Sequence, residues 1–195
     1  MDWSLIFFIN SILLGVGLAM DAFSVSLANG LHEPKMRNGR MTLIAGVYSF
    51  FQAAMPLIGW ICVHTIVRYF SFFSKMVPWI ALILLLFIGG KMLYEGIKGN
   101  KEEDGPKTLG FKTLIIQGIA TSIDALSVGF TIADHNALMA FVCALIIAAV
   151  TFVICFIGLH IGKKVGAKLS GKADILGGII LIGIGIEIFI KGIFF

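Results

Sequence analysis

The stretch "AMDAFSVSLANG", residues 19–30, places the carboxylate of Asp21 inside an apolar run long enough for a membrane-spanning helix. A charged side chain at the bilayer centre costs at least about 2.5 to 3.5 kcal/mol on insertion scales, so such residues usually face the bundle interior and mark a pathway or site. Nearly the same phrase, "TSIDALSVGF", returns at residues 121–130 around Asp124. The two aspartates are therefore the first candidates for a functional site.

The whole chain has the composition of an integral membrane protein. Its 195 residues are 58% hydrophobic and only 13% charged, and the mean hydropathy of +1.00 lies outside the range of soluble domains. Apolar stretches of about 20 residues predict six membrane spans, at residues 4–28, 41–64, 77–97, 111–133, 137–160 and 174–194. These spans and their short loops take up the chain, so we expect no soluble catalytic domain.

Basic residues are concentrated in the odd-numbered loops. The first, third and fifth loops, with their edges, hold 11 of the 15 lysines and arginines, namely Lys35, Arg37, Arg40, Lys98, Lys101, Lys107, Lys112, Lys163, Lys164, Lys168 and Lys172. By the positive-inside rule these loops face the cytoplasm and both termini lie outside. This topology explains the net charge of +4 better than nucleic-acid binding does.

A polar linker near the middle divides the chain. The segment "EGIKGNKEEDGPKTLG", residues 95–110, is punctuated by glycine and proline. We expect a first three-helix repeat at residues 1–97, a cytoplasmic linker at 98–110 and a second three-helix repeat at 111–195.

The two halves share sequence motifs. An offset of 103 positions aligns residues 21–25 with 124–128, and weaker similarities follow in order, Leu57–Trp60 with Phe156–Leu159 and Glu95–Ile97 with Lys191–Ile193. A copied unit of three spans must enter the membrane from the opposite side, which makes an inverted repeat typical of secondary transporters. Chance recurrence of short apolar motifs is the alternative, mainly for the weaker pairs. The predicted fold is an all-α membrane protein with six transmembrane helices in a 3+3 inverted repeat.

Oxygen-bearing side chains surround both aspartates at helical spacing. Gln117, Thr121, Ser127 and Thr131 would form one polar stripe with Asp124, and Ser24 shares the Asp21 face. Carboxylate, amide and hydroxyl oxygens suit a hard divalent cation such as manganese, magnesium or calcium. Met20 could add a sulfur that favours a transition metal, although a methionine in a span usually serves packing.

Two carboxylates that share a site do not easily both ionise without a cation, so one of them would hold a proton at rest. Metal entry would then displace that proton, which is a physical basis for metal/proton antiport. The structural alternative is that each aspartate only hydrogen-bonds a broken backbone or a neighbouring helix.

Other polar residues in the spans are weaker candidates. Lys91 and Glu95 have the i, i+4 spacing of an ion pair, which is favoured over a gating role. Gln52 is a candidate for polar lining, and Glu187 could serve a site, a proton relay or neither. Cys62, Cys143 and Cys155 fall inside spans without metal-ligand spacing, so they indicate packing and neither a disulfide framework nor a zinc site.

Several phrases together resemble the MntP-type manganese efflux pumps, small six-span proteins of the bacterial inner (cytoplasmic) membrane. They are "MDAFSVSLANG", "PLIGW", "GGKMLYEG", "ATSIDALSVG" and "ADILGGIILIGIGI". The resemblance implies manganese(II) export, with Asp21 and Asp124 as the metal-site residues. The family pattern has a lysine where this chain has Asn29, and Glu187 is not part of that pattern. The auxiliary candidates for the metal site are Ser24, Asn29, Gln117, Thr121, Ser127, Met20, Glu95 and Glu187.

The expected partners are manganese(II), as transported substrate, and the lipid bilayer; no cofactor, no nucleic acid and no enzymatic activity are expected, and a homo-oligomer stays open. Export of another divalent cation or of a small cationic solute is the main alternative. An intramembrane aspartyl protease would also use two membrane aspartates. The chain lacks the tyrosine-aspartate and glycine-x-glycine-aspartate phrases of such proteases, so this alternative is disfavoured, as is a purely structural membrane subunit.

Overall fold

The structure is a computed structural model, and it describes residues 5–65, 79, 82–83, 85–91, 93–94, 97, 109–133, 135–169 and 173–194. Over these residues the fold is all-helical, as the sequence predicts. The helices are α1 (Leu5–His32), α2 (Asn38–Thr65), α3 (Phe111–Thr121), α4 (Ala125–Thr131), α5 (Ala137–Leu169) and α6 (Ala173–Phe194). Residues 85–91 of the third predicted span are also helical.

Three of these helices are long and apolar enough to cross a membrane. The qualifying segments are Leu5–His32, Asn38–Cys62 and Ala137–Ala167, and a shorter apolar segment runs from Ile175 to Glu187. This agrees with the predicted class of helical membrane protein. The number of six spans and the inverted repeat stay predictions, as do the division at residue 97 and the linker, most of which lies outside the described residues.

The fourth predicted span differs from the expectation of one continuous helix. The structure divides it into α3 and α4, with a turn at residues 122–124. At its carboxyl end α5 continues to Leu169, beyond the predicted limit at residue 160, and α1 continues to His32 rather than ending at residue 28.

Glycines let α1 and α5 approach closely. A Cβ at Gly30 would stand 2.5 Å from the Leu159 carbonyl oxygen, and one at Gly166 would stand 2.7 Å from the Leu31 carbonyl oxygen. Gly162 likewise faces Gly30. Small residues permit such contacts between membrane helices, where lipid is as apolar as the side chains. Gly158, Gly162 and Gly166 recur at every fourth position of the sequence, a spacing that predicts close helix packing, and each of them contacts α1 in the structure.

Helix α2 packs mainly against α3, α4 and α5, which follow the predicted linker in sequence, and less against α1. Its Gly59 meets the Leu126 carbonyl and Gly129 of α4. Helix α6 packs against α1, and its Gly178 meets Gly89 of the third span. Cys62, Cys143 and Cys155 are free thiols, and the last two are buried, which fits a packing role.

Candidate functional site

The two aspartates lie in different backbone settings. Asp21 is partly buried and lies within the continuous helix α1. Asp124 is exposed and lies in the turn between α3 and α4. The shared motif therefore presents one carboxylate from a regular helix and the other from a helix break.

Two consecutive hydroxyl groups bond back to carbonyls just before Asp124, where the helix breaks. Ser122 Oγ donates to the Gly118 carbonyl over 2.7 Å, and Thr121 Oγ1 donates to the Gln117 carbonyl over 2.9 Å. Such side-chain bonds offer the backbone an alternative to the helical ladder and often bend helices. The Ala125 N–H donates to Asp124 Oδ1 over 2.9 Å, so the carboxylate caps the start of α4.

The break also divides the polar stripe that the sequence predicts on one helix. Gln117 and Thr121 on α3 are buried, whereas Ser127 and Thr131 on α4 are exposed. A single continuous stripe is therefore wrong for this span, because the turn ends one helix before the next begins.

Gln52 of α2 links the two aspartate segments. Its Nε2 donates to the Leu18 carbonyl over 2.9 Å and to the Thr121 carbonyl over 3.0 Å. Leu18 and Thr121 each stand three positions before an aspartate. Two carbonyl acceptors fix which end of the amide carries the nitrogen. Gln52 Oε1 is buried and makes no hydrogen bond in the described part of the chain.

A second buried network joins α1, α2 and α3. Asn29 Nδ2 donates to the Tyr48 hydroxyl over 2.6 Å and to Gln117 Oε1 over 3.0 Å, and the Tyr48 hydroxyl donates to Gln117 Oε1 over 2.7 Å. Gln117 Nε2 donates back to Asn29 Oδ1 over 3.3 Å. All three side chains are fully buried. We call these three residues the amide–tyrosine cluster.

The remaining sequence candidates are spread around the aspartates. Ser24 is partly buried, and its Oγ donates to the Met20 carbonyl over 3.1 Å within α1. The Met20 side chain is 50% exposed, and Glu187 on α6 is exposed. Glu95 lies outside the described residues, so its predicted pairing with Lys91 stays a prediction.

An open groove runs along α1 and α4. It begins at the amino end of α1 and at the carboxyl end of α4, near Thr131. It joins two concave regions of about 490 and 500 Å³, which share Asn10, Leu14 and Thr131. The groove reaches Gly17 and Leu18 on α1, and Val128 on α4. These positions are one helical turn from Asp21 and Asp124. We call this feature the α1/α4 groove.

The donor atoms of the site are oxygens. Within the described residues there is no group of three or more His, Cys, Asp and Glu side chains that could hold a metal. A cation at the aspartates would therefore draw further ligands from amide, hydroxyl and backbone carbonyl oxygens. Manganese, magnesium and calcium all accept such ligands.

Sequence reasoning missed Tyr48 and gave Gln52 only a lining role. The available signal was the i, i+4 spacing of Tyr48 and Gln52, two hydrogen-bonding side chains in the mostly apolar middle of α2. Their partners lie on α1 and α3, which the sequence alone does not bring next to α2.

Residues 33–189 match the family model described as "Putative manganese efflux pump". A protein of Ruminiclostridium cellulolyticum with the name "Putative manganese efflux pump MntP" is 40% identical over 185 residues, which cover 94% of this chain and 96% of that protein. A Clostridium botulinum protein of the same name is 44% identical over 193 residues, 94% of each chain. A Methanosarcina acetivorans protein of that name is 42% identical over 179 residues, 91% of this chain and 93% of that protein.

The chain belongs to the MntP family. No solved structure matches it. The family model covers α2 to most of α6 and includes Asp124, whereas Asp21 precedes its first matched residue. The names of these relatives describe efflux pumps, which are transporters, and the apolar helices of this chain indicate a membrane protein.

Proposed function

We propose that this MntP-family chain exports manganese(II) across the cytoplasmic membrane, with Asp21 and Asp124 as the main ligands of the transported ion. The names of its relatives supply the ion and the direction of transport. The oxygen donors around both aspartates are compatible with that ion. Gln52 Oε1 is an additional neutral ligand in this proposal, because it is buried without a hydrogen bond in the described structure.

The observation that carries the proposal is the bridge made by Gln52. Its amide nitrogen contacts the carbonyls of Leu18 and Thr121, which are equivalent under the 103-position offset that aligns the aspartates. One side chain thus holds matching points of the two halves together, three residues before each carboxylate. This arrangement supports a single site that both halves build.

A second pair of contacts supports the inverted repeat. Gly59 meets the Leu126 carbonyl, and a Cβ at Gly158 would stand 3.0 Å from the Phe23 carbonyl oxygen. The motif alignments pair Gly59 with Gly158 and Phe23 with Leu126. Equivalent residues of the two halves therefore make equivalent contacts. In an inverted repeat with both termini outside, one repeat rocking against the other would expose the site to each side alternately.

Proton exchange follows from the paired carboxylates. Without a cation, repulsion between two nearby carboxylates favours the protonation of one of them. Manganese(II) entry would release that proton, and manganese(II) release would allow it to return. We therefore propose metal/proton antiport.

Manganese(II) flux in proteoliposomes of known orientation tests this function. We expect flux in the natural chain, dependence on a proton gradient, and loss of flux in Asp21→Asn and Asp124→Asn. Asp104→Asn, in the polar linker of the sequence, is the matched control and should transport normally. Normal transport by both site variants would overturn the aspartate site.

Competition in the same vesicles separates manganese from the alternative substrates. Magnesium and calcium prefer similar oxygen ligands, whereas a basic amino acid would need the larger space of the α1/α4 groove. We expect manganese to compete best. Stronger competition by calcium or by a basic amino acid would identify that solute, rather than manganese, as the substrate of the aspartate site.

A further inference from the structure

We propose that the amide–tyrosine cluster is the inner gate of the transporter and that the structure shows this gate closed, with the α1/α4 groove open on the opposite side. This inference deepens the proposed alternating access and rests on it for the identity of the two sides. It assigns to Asn29, Tyr48 and Gln117 a gating role in place of a role as ligands.

The cluster lies on the loop side of both aspartates. Asn29 follows Asp21 by eight positions in α1, which is about 12 Å along a helix. Gln117 precedes Asp124 by seven positions. Under the predicted topology this span runs outward, whereas α1 runs inward, so Gln117 lies on the same side of its aspartate as Asn29 does. The two amides therefore meet at one depth, between the aspartates and the first loop.

The cluster closes this level of the bundle because its polar groups satisfy each other. Gln117 Oε1 accepts from both Asn29 and Tyr48, and the two amides exchange hydrogen bonds. The side chains of all three residues are fully buried. A buried network with satisfied partners is stable and specific, whereas separating its members leaves costly unpaired groups. Such a contact has two discrete states, which suits a gate.

A second layer on the same side reinforces the closure. Arg40 Nε lies 3.3 Å from Glu33 Oε1, and the Arg40 guanidinium also donates to the Leu109 carbonyl just before α3. Lys163 Nζ of α5 donates to the Met36 carbonyl over 2.6 Å. The first loop and the start of α2 are thus tied to Leu109, just before α3, and to α5.

The opposite side is open along the α1/α4 groove. A Cβ at Gly17 would meet no atom within 4 Å, and Asn10 and Thr131 are exposed on facing walls. Asp124 lies in the adjoining turn and Ser127 lies in α4, and both side chains are exposed. Asn10 and Thr131 are polar members of a mostly apolar lining, whereas the groove beside Gly46 is lined by Leu43, Val47, Phe50, Phe51, Phe111 and Ile115.

Cysteine accessibility tests the open side. In a background with Cys62, Cys143 and Cys155 replaced by alanine, a membrane-impermeant maleimide is applied from the terminus side of oriented vesicles. We expect Gly17→Cys to react and Gly46→Cys to stay unreacted. The two glycines are matched, because a Cβ at either meets nothing within 4 Å. Equal reactivity of the two cysteines, or none at Gly17→Cys, would overturn an aqueous groove.

A buried reporter tests the gate. Val25 is fully buried in α1, four positions before Asn29. With the maleimide applied from the loop side, Val25→Cys in the same background should react slowly. Adding Tyr48→Phe should make this reaction about tenfold faster, because losing a buried hydrogen-bond partner shifts a two-state equilibrium by roughly that factor. Gln117→Met is the second gate variant and should give the same increase.

Ser11→Ala is the control for loss of a buried hydroxyl outside the amide–tyrosine cluster, since Ser11 Oγ donates to the Phe7 carbonyl over 2.8 Å and Cys143 is already replaced in this background. It should leave the labelling of Val25→Cys unchanged. Unchanged labelling in both gate variants, with intact monodisperse protein, would overturn the gate. All labelling is done without manganese. The labelling result therefore tests the gate separately from the flux assay, which tests manganese export.

Discussion

Residues 18–25 and 121–128 carry the same aspartate motif in two different backbones. In α1, Ser24 bonds back to the Met20 carbonyl, and the helix stays continuous. In the second copy, the hydroxyls of Thr121 and Ser122 precede the aspartate, and the helix breaks. The first copy has Leu18 and Ala19 at the positions of those hydroxyls. The residues before the motif, rather than the motif itself, decide whether the helix continues.

This difference gives the two carboxylates unequal tasks. Asp21 is held by a regular helix, whereas Asp124 also caps α4 through the Ala125 N–H. Discontinuous helices in transporters expose backbone carbonyls and helix ends to the transported ion. We therefore expect Asp21 to act as the fixed ligand and the Asp124 segment to carry most of the local movement.

Removing the bridge between the two segments should have the largest effect. Gln52→Leu removes the amide and leaves the Leu18 and Thr121 carbonyls without this donor. We expect a loss of about 2 to 4 kcal/mol in the free energy of unfolding, because each buried acceptor loses a partner, together with loss of manganese(II) flux. Unfolding in detergent and proteoliposome flux measure the two effects.

Ser49→Ala is the control on the same helix, since Ser49 Oγ donates to the Gly46 carbonyl of α2 itself, over 3.0 Å. It should change stability by less than about 1 kcal/mol. A Gln52→Leu protein as stable and active as the control would show that the bridge does not couple the halves.

Restoring the helix between α3 and α4 should have the next largest effect. Thr121→Val combined with Ser122→Ala removes the hydroxyls that bond back to carbonyls, so the second copy should resemble the first. We expect flux to fall about tenfold, the effect of roughly 1.4 kcal/mol on an equilibrium. Hydrogen exchange should show stronger protection at residues 122–125.

The reciprocal change, Ala19→Ser in α1, serves as the control. One hydroxyl on the regular helix should not break it, as Ser24 already shows. Full flux in the double variant, together with increased protection, would mean that the break is not needed for transport.

The helices and their glycine contacts follow from the sequence because apolar runs and four-residue glycine spacing act locally. The break at residues 122–124 was equally local, yet the apolar run and the recurring polar positions concealed it. Thr121, Ser122 and Asp124 together were the signal, since each favours bonds that compete with a helix or cap one.

The partners of Gln52 and Tyr48 could not be predicted in the same way. Their hydrogen bonds connect residues 19 to 69 positions apart in the chain. Such pairs depend on how the helices pack, and several packings would suit the same apolar faces. The paired aspartates remain the site predicted from the motif, and the structure adds the side chains that connect their segments.

The capping role of Asp124 predicts that alanine and asparagine variants rank in opposite order of stability at the two aspartate positions. Asp124→Ala should be about 1 kcal/mol less stable than Asp124→Asn, because asparagine keeps the cap and alanine does not. Within α1, Asp21→Ala should be more stable than Asp21→Asn by up to about 0.7 kcal/mol, since alanine has the higher helix propensity. Unfolding of the four apo variants measures both differences. If alanine and asparagine variants rank in the same order of stability at both positions, the helix break does not give Asp124 a capping role that Asp21 lacks.

The smallest expected effect concerns the residue before each aspartate. The first copy has Met20, half exposed beside Asp21, and the second has Ile123. A thioether is a softer ligand than oxygen and favours manganese over calcium or magnesium. Met20→Leu should therefore lower the preference for manganese over calcium by about threefold, roughly 0.6 kcal/mol, with total flux little changed. Ile123→Leu is the matched control and should leave the preference as it is. An unchanged preference in Met20→Leu would assign Met20 to packing and leave selectivity to the oxygen ligands.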